Sequence, residues 1–328
     1  MVRKSRAHKK TSTSSTPIFQ SDRFLTLKNQ ETFEKLNVYR KVRAERTVIL
    51  DEVNPKIRRS FDCRGWLPLL DVGHPSLDIL IKEFYSNLSV HSTSSNIQFV
   101  KSWIRGEEYV ITPQVVASTL GVPLVQHPVC LYDETPPLDD IISLITGTSI
   151  QWGNDLGITS YELIELNYLF FQISCHSIWP ISHLHTIPIE SCAFLYALVT
   201  NASNFFPFLF ISSLVEVYRS SLKGHGLFFP FFIHRILLDL GLEDFPAFEP
   251  IHIIAPIGAT LLRQRLTQIK AIFKCPRVKS STSDAFRSPL SSDPSAKEFV
   301  DPTTTVDPPP SSSSDASIWS MLKTITTV

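Results

Sequence analysis

The chain has 328 residues, 43% apolar and 19% charged, a balance that excludes a wholly disordered polymer and provides for a sizeable core. Phenylalanine is abundant (22) and glycine scarce (11), so the core should be aromatic, with little room for Gly-rich phosphate loops. Lysine plus arginine equal aspartate plus glutamate at 31 each, yet the positive surplus lies before residue 65 and the negative surplus after it.

That partition points to a polyanion-binding or address-bearing head, or to a head that pairs with an acidic body. A solvated charged helix behind a basic tail explains it as well. Residues 1–20 read as a disordered basic head, in which Arg3, Lys4, Arg6, Lys9 and Lys10 form a cluster suited to a nuclear address or a phosphate-binding arm. No apolar stretch follows these charges, so no signal peptide is read here. Cys63, Cys130, Cys175, Cys192 and Cys275 are widely spaced without a CxxC pair, and the expectation is free thiols in an intracellular, reducing compartment.

From about Gln30 to Thr47 the pattern predicts a helix, with Phe33, Leu36, Tyr39 and Val42 on one side and Lys35, Arg40, Lys41, Arg43 and Arg46 around the rest. In KIRRSFDCRGWLPLL, Phe61 and Trp66 are candidate anchors to the main body, and Lys56, Arg58 and Arg59 extend the basic set. Pro75 is placed to open a helix carrying Leu77, Leu80, Ile81, Phe84 and Leu88 at helical spacing. NIQFVKSWIRGEEYVI follows as the best hairpin candidate, with Ile97, Phe99 and Trp103 alternating with more polar neighbours and RGEE at the turn.

Thr112 and Pro113 supply a cap and a first-turn proline for a helix that Gly121 and Pro123 close. Asp139 and Asp140 suit the first turn of another, where negative charge favours the helix dipole. Thr159 to Glu162 fits a capping box ahead of LIELNYLFFQI. Further helices are predicted at about 189–200, 207–221, 228–240 and 257–274, the last with Arg263, Arg265, Lys270 and Lys274 opposite its apolar side.

Ser191 to Val215 is free of charge and longer than the roughly 20 residues of a membrane span. Asn201, Ser203, Asn204 and Pro207 in its middle favour two buried helices joined by a loop, so no membrane association is expected. Beyond residue 275 the chain is rich in Ser, Thr and Pro with few apolar residues, and residues 276–328 are expected to be disordered. The organisation is therefore a basic head (1–20), one large, mainly helical domain (24–275) with a small β-hairpin near 97–111, and a polar tail (276–328).

An early helix ending in RAER, then IKEFYSNL, SWIRGEEYVITPQVVASTLGVP, IESCAFLYALVT and IHRILLDLGLEDFPAFEPIHIIAPIGATLLRQR, in this order, resemble the plant transposon protein domain family. The resemblance spans roughly residues 24–270, and the hairpin-helix unit with LGVP is also loosely similar to the plant mobile domain. It implies a transposable-element origin. It carries no catalytic residues across.

That origin directs the search for chemistry. The chain has no Asp-Thr/Ser-Gly, no Tyr-x-Asp-Asp, no zinc knuckle, no GxxxxGK[ST], no GxGxxG and no GxSxG. Cys175, His176, His183, His185 and Cys192 are ligand types for zinc, but their spacing is atypical, and core thiols with half-buried histidines are the preferred reading. The sequence is read as a non-enzymatic protein without cofactor, metal or small-molecule ligand. Its expected partners are nucleic acid, contacted by Arg3, Lys4, Arg6, Lys9, Lys10, Arg40, Lys41, Arg43, Arg46, Lys56, Arg58 and Arg59, or further copies of itself. A divergent metal-dependent nuclease or transposase, and a decayed element without selected function, are the alternatives.

Overall fold

Helix formation begins where Thr26 offers its hydroxyl to the N–H of Asn29, and α1 (Leu27–Tyr39) buries Phe33 and Leu36. The computed structural model describes residues 19–73, 76–125, 138–149, 157–179, 185–200, 206–220, 226–243, 250–251 and 254–274, with the backbone alone at 190 and 269–274. The described residues form a mainly helical fold: α2 (Pro55–Cys63), α3 (Asp78–Ser86), α4 (Pro113–Leu120), α5 (Leu138–Thr146), α6 (Glu165–Ser177), α7 (Ile189–Thr200), α8 (Phe206–Arg219), α9 (Pro230–Asp239) and α10 (Ala259–Lys274). Two small antiparallel sheets complete it, β1 (Ser89–Ser92), β2 (Gln98–Ile104) and β3 (Glu107–Ile111) in one, β4 (Gly157–Thr159) and β5 (Thr186–Pro188) in the other.

The sequence-based helices at 189–200, 207–221, 228–240 and 257–274 match α7 to α10 within a few residues. The caps match too. Thr112 accepts the N–H of Val115 at 3.3 Å, Pro113 opens α4, and Gly121 closes it in the left-handed region. Glu162 accepts the N–H of Thr159 at 2.7 Å, although only a short 3-10 turn follows before α6 starts at Glu165. No helix among the described residues is long and apolar enough to cross a membrane. Pro75, the basic head over 1–18 and the polar tail over 276–328 lie outside the described residues.

Two local readings need correction. The helix expected over 30–47 stops at Tyr39, and residues 40–48 run extended, from Arg40 at φ −120° and ψ 132°. The hairpin is real but belongs to a three-stranded sheet. Val100, Ser102 and Ile104 are buried with Tyr109 and Ile111, while Phe99 and Trp103 are only half-buried. A period of two leaves a one-residue choice of face, and packing on α3 decides it. There the Ser102 hydroxyl donates to the Phe84 carbonyl at 2.8 Å.

The core centre is aromatic. Trp66 meets Phe206 edge-on at 6.0 Å, Phe206 meets Phe232 at 6.1 Å, and Phe229 lies 4.8 Å from Phe210. Helix α1 packs on α3, α4 on α8 and α9, and α5 on α7. Trp66 reaches this centre because α2 ends in a tight stop: Gly65 at φ +65°, with Trp66 N–H on the Phe61 carbonyl at 2.9 Å and Gly65 N–H on the Asp62 carbonyl at 2.8 Å. A Cβ at Gly65 would sit 2.9 Å from the Pro123 ring. Gly65→Ala is therefore expected to lower stability by about 1–2 kcal/mol. A urea midpoint equal to that of the parent protein would refute this.

Candidate nucleic-acid interface

The basic residues 40–46 lie on a thread that crosses the molecule. Val42 forms a parallel bridge with Leu227 and Val48 one with Ile257. Along it, Arg43 N–H donates to the Leu227 carbonyl (2.8 Å), Arg46 N–H to the His176 carbonyl (3.1 Å), and Val48 N–H to the Leu70 carbonyl (2.8 Å). Ile49 and Ile257 complete it, donating to Ile257 (2.9 Å) and Thr47 (2.7 Å) carbonyls. Only an extended chain reaches all these partners, and their hydrogen bonds satisfy a backbone that helix propensity alone would have coiled.

The extended thread sorts its side chains by side. Arg40 turns inward and its guanidinium donates to the Val217 carbonyl at 3.2 Å, the Ser220 carbonyl at 3.3 Å and the Ser220 hydroxyl at 2.7 Å. It thus caps the C-terminus of α8, where unpaired carbonyls and the helix dipole favour a cation. Arg46 is buried as well, with its Nε 2.9 Å from the Ala255 carbonyl. Arg64 repeats the pattern on α7, donating to the Ala197 carbonyl at 2.7 Å and the Leu198 carbonyl at 3.0 Å. Burial lowers all three guanidinium pKa values, that of Arg64 to about 10.

Arg40 and Arg46 were expected as nucleic-acid contacts, and here the structure differs. Their guanidinium donors hold helix ends and loop carbonyls together inside the fold. Lys41, Arg43, Lys56, Arg58 and Arg59 remain exposed. Arg58 pairs with Asp51 at 2.7 Å, both well exposed, a pair of little energetic weight. Arg3, Lys4, Arg6, Lys9 and Lys10 lie outside the described residues. With Arg40, Arg46 and Arg64 turned inward, the cations left on the surface between 19 and 64 are nearly matched by carboxylates.

Glu45, between the exposed and buried arginines, is itself buried. Its two carboxylate oxygens accept the N–H groups of Phe231 (3.2 Å) and Phe232 (3.1 Å) in the first turn of α9. That helix needs an outside cap, because Phe229 at its start has no capping oxygen and stands at φ +58°, a strained position for a bulky residue. The Tyr85 hydroxyl steadies the same corner by donating to the Phe228 carbonyl at 2.9 Å. Burial, only partly offset by the N–H bonds, pushes Glu45 up to about 7.

One cationic cluster survives near the surface. His176 is half-buried at the end of α6, and burial together with the Arg46, Arg265 and Arg43 guanidiniums pushes it down to about 4. Arg43 lies exposed over Gly226, where an added Cβ would stand 2.9 Å from its Cγ. Arg265, half-buried on α10, reaches Gln268 at 3.5 Å. Among the described residues, no carboxylate forms an ion pair with Arg43, Arg46 or Arg265. Sequence reading missed His176 and Arg265 as neighbours of the thread, since nothing in local spacing links residues so far apart.

The Cys/His constellation divides. Cys175 and Cys192 are buried free thiols, with Cys175 pushed well up by burial, and His185 lies exposed against the Tyr161 ring at 4.6 Å. His183 lies outside the described residues, among which no three or more His, Cys, Asp or Glu side chains gather around a metal-sized gap. A cavity of about 10 Å³ beside Cys175, walled by Phe171, Trp179 and Phe194, has room for one water at most.

The model of a family described as "Putative plant retrotransposon-related domain" matches residues 63–242, more than half of the chain. No curated protein and no solved structure matches it.

Proposed function

Because the chain belongs to the plant retrotransposon-related domain family, we propose that it is a non-catalytic, transposable-element-derived protein that binds nucleic acid electrostatically. The basic head (Arg3, Lys4, Arg6, Lys9, Lys10) supplies most of the charge, and Lys41, Arg43, Lys56 and Arg59 add contacts on the body. The observation that carries this reading is the partition of the cations. Inward-turned arginines hold the scaffold together, which leaves the surplus of positive charge in the first ten residues. The same head would serve as a nuclear address.

The non-catalytic part rests on where buried polar groups go. Arg40, Arg64, Glu45 and Asn87 each satisfy backbone donors or acceptors at element ends, a scaffolding use. Assembly with further copies of the chain is compatible with this reading and would multiply weak contacts.

A gel-shift titration across a salt series tests the reading. Residues 1–18 must be removed rather than 1–64, because Phe24, Phe33, Leu36, Val48, Ile57 and Phe61 belong to the core. With five head contacts to duplex DNA, affinity should fall several hundred-fold between about 50 and about 200 mM salt, and the truncated chain should lose most of that slope. No binding at low salt, or an unchanged slope after truncation, would refute the head as the contact. Magnesium-dependent strand cleavage by the pure chain would refute the non-catalytic part.

A further inference from the structure

From Pro250 to Ser283 the chain carries six lysines and arginines and no aspartate or glutamate, although residues 65–328 hold 24 of the 31 acidic residues. Helix α10 occupies the middle of this basic island, and its start is pinned to the thread. Ile257 N–H donates to the Thr47 carbonyl at 2.7 Å, and the Arg46 Nε donates to the Ala255 carbonyl at 2.9 Å. Glu52 accepts the Ala259 N–H at 2.8 Å. That carboxylate covers the end of the helix, so an anionic partner has to approach from the side. Leu262 is buried, and Leu261 and Leu266 pack against the core beside it.

Fixing the apolar side leaves Thr260, Arg263, Gln264, Thr267 and Gln268 exposed. Spacings of three and four place them on one stripe, about 12 Å long at 1.5 Å per residue. They line an open hollow of about 390 Å³, so the stripe is accessible to a large partner. Thr267 donates back to the Arg263 carbonyl at 2.9 Å, and Gln268 takes a long contact of 3.5 Å from Arg265. Among the described residues, no hydrogen bond or ion pair engages the Arg263 guanidinium or the Gln264 amide.

We infer that this stripe of α10 enters the major groove of duplex DNA and sets Arg263, Gln264 and Gln268 on base edges. The inference rests on the nucleic-acid reading above and gives it a contact surface apart from the head. Cations without carboxylates complement the phosphates that flank a groove. A groove about 12 Å wide admits one helix, an arginine fork matches guanine, and a glutamine amide matches adenine. Single strands suit the stripe less, since none of its five side chains offers an aromatic platform. The deep, narrow major groove of duplex RNA is closed to side chains.

The full chain is used to select sites from a pool of randomised DNA duplexes, and fluorescence anisotropy compares selected with scrambled duplexes. The expected result is a preference of at least about tenfold for selected sites that share guanine or adenine positions. An Arg263→Ala/Gln264→Ala/Gln268→Ala variant should lose that preference with an unchanged melting temperature, since all three side chains face solvent. Arg263→Lys keeps the charge without the fork, so it should lose the preference at guanine while retaining the salt dependence. Absence of any nucleic-acid binding at low salt would overturn the nucleic-acid reading itself, and this inference with it. Binding without sequence preference, or a preference unchanged in the triple variant, would overturn the α10 contact and leave the head as the interface. Equal competition by single-stranded DNA or duplex RNA of the selected sequence would overturn the groove assignment.

Discussion

Replacing Glu83 by alanine should destabilise the protein by about 3–5 kcal/mol, among the largest effects expected of any single substitution here. Glu83 is fully buried on α3 and faces two arginines. The Arg23 Nε lies 3.0 Å from its Oε2, and the Arg105 Nε lies 3.6 Å from the same oxygen. Its Oε1 accepts the Arg105 N–H at 3.1 Å. That last bond holds the β2–β3 turn, in which Arg105 (φ +54°) and Gly106 (φ +92°) form a two-residue primed hairpin with a non-glycine at its first position.

Removal of the carboxylate would therefore strand two partly buried guanidiniums and free a strained turn in one step. It would also loosen the N-terminal segment. Arg23 lies over the rings of Phe24 and Phe33 at 5.1 and 4.9 Å, and Asn87 completes the clamp by bonding the Arg23 carbonyl at 2.9 Å and the Trp103 carbonyl at 2.7 Å. Urea unfolding should show a lower midpoint with little change in slope. Amide exchange should accelerate first in residues 20–30 and around Arg105. Glu83→Gln, which keeps an acceptor but not the charge, should fall between the two. A midpoint for Glu83→Ala within about 0.5 kcal/mol of the parent protein would remove Glu83 from this role.

The second large effect is a pair of opposed pH dependences. Glu45 holds its proton up to about pH 7 in the folded protein against an ordinary value of 4.5, so the native state binds the extra proton between those limits. Its contribution to stability is fully present below about 4.5 and is lost as pH rises through 7, a change of about 3 kcal/mol. His176 behaves in reverse. Its pKa falls to about 4 from 6.5, so its contribution is present above 6.5 and is lost, by a similar amount, as pH falls towards 4.

Between about pH 4.5 and 6.5 the two slopes nearly cancel, and these groups together should leave stability almost flat. Separate substitutions uncover each one. Glu45→Gln should become less stable on acidification from pH 6.5 to 4.5, while His176→Gln should become more stable over the same interval. Chemical denaturation at several pH values reads both. Identical pH profiles for the parent and both variants would show that neither group titrates as its burial dictates.

Much of the helical framework was legible because its signals are local. Thr112 with Pro113, Gly121, and the acidic pair Asp139–Asp140 at the start of α5 each act within one turn of the chain. Phe61 and Trp66 stood out as anchors and are both fully buried. The inward face of β2 was not legible from the alternation of Ile97, Phe99 and Trp103 with their neighbours, because the smaller Val100 and Ser102 fit against α3 while Phe99 and Trp103 stay half-buried. Strand β1 was missed because Ser-Val-His-Ser carries almost no apolar alternation of its own. The charges of 40–46 were read as one solvated helical face, and that error governed the candidate site.

Sequence by itself determined the helical class, most helix limits, the aromatic core and the family, since each depends on contacts made within a few residues or on overall composition. Tertiary structure alone decided that 40–48 runs straight, that Arg40 and Arg46 face inward, and that Arg46 lies beside the end of α6 at His176. The physical reason is reach. A backbone hydrogen bond from Arg46 to His176, or from Thr47 to Ile257, joins residues far apart along the chain, and its stabilisation outweighs the modest helix propensity of the residues between.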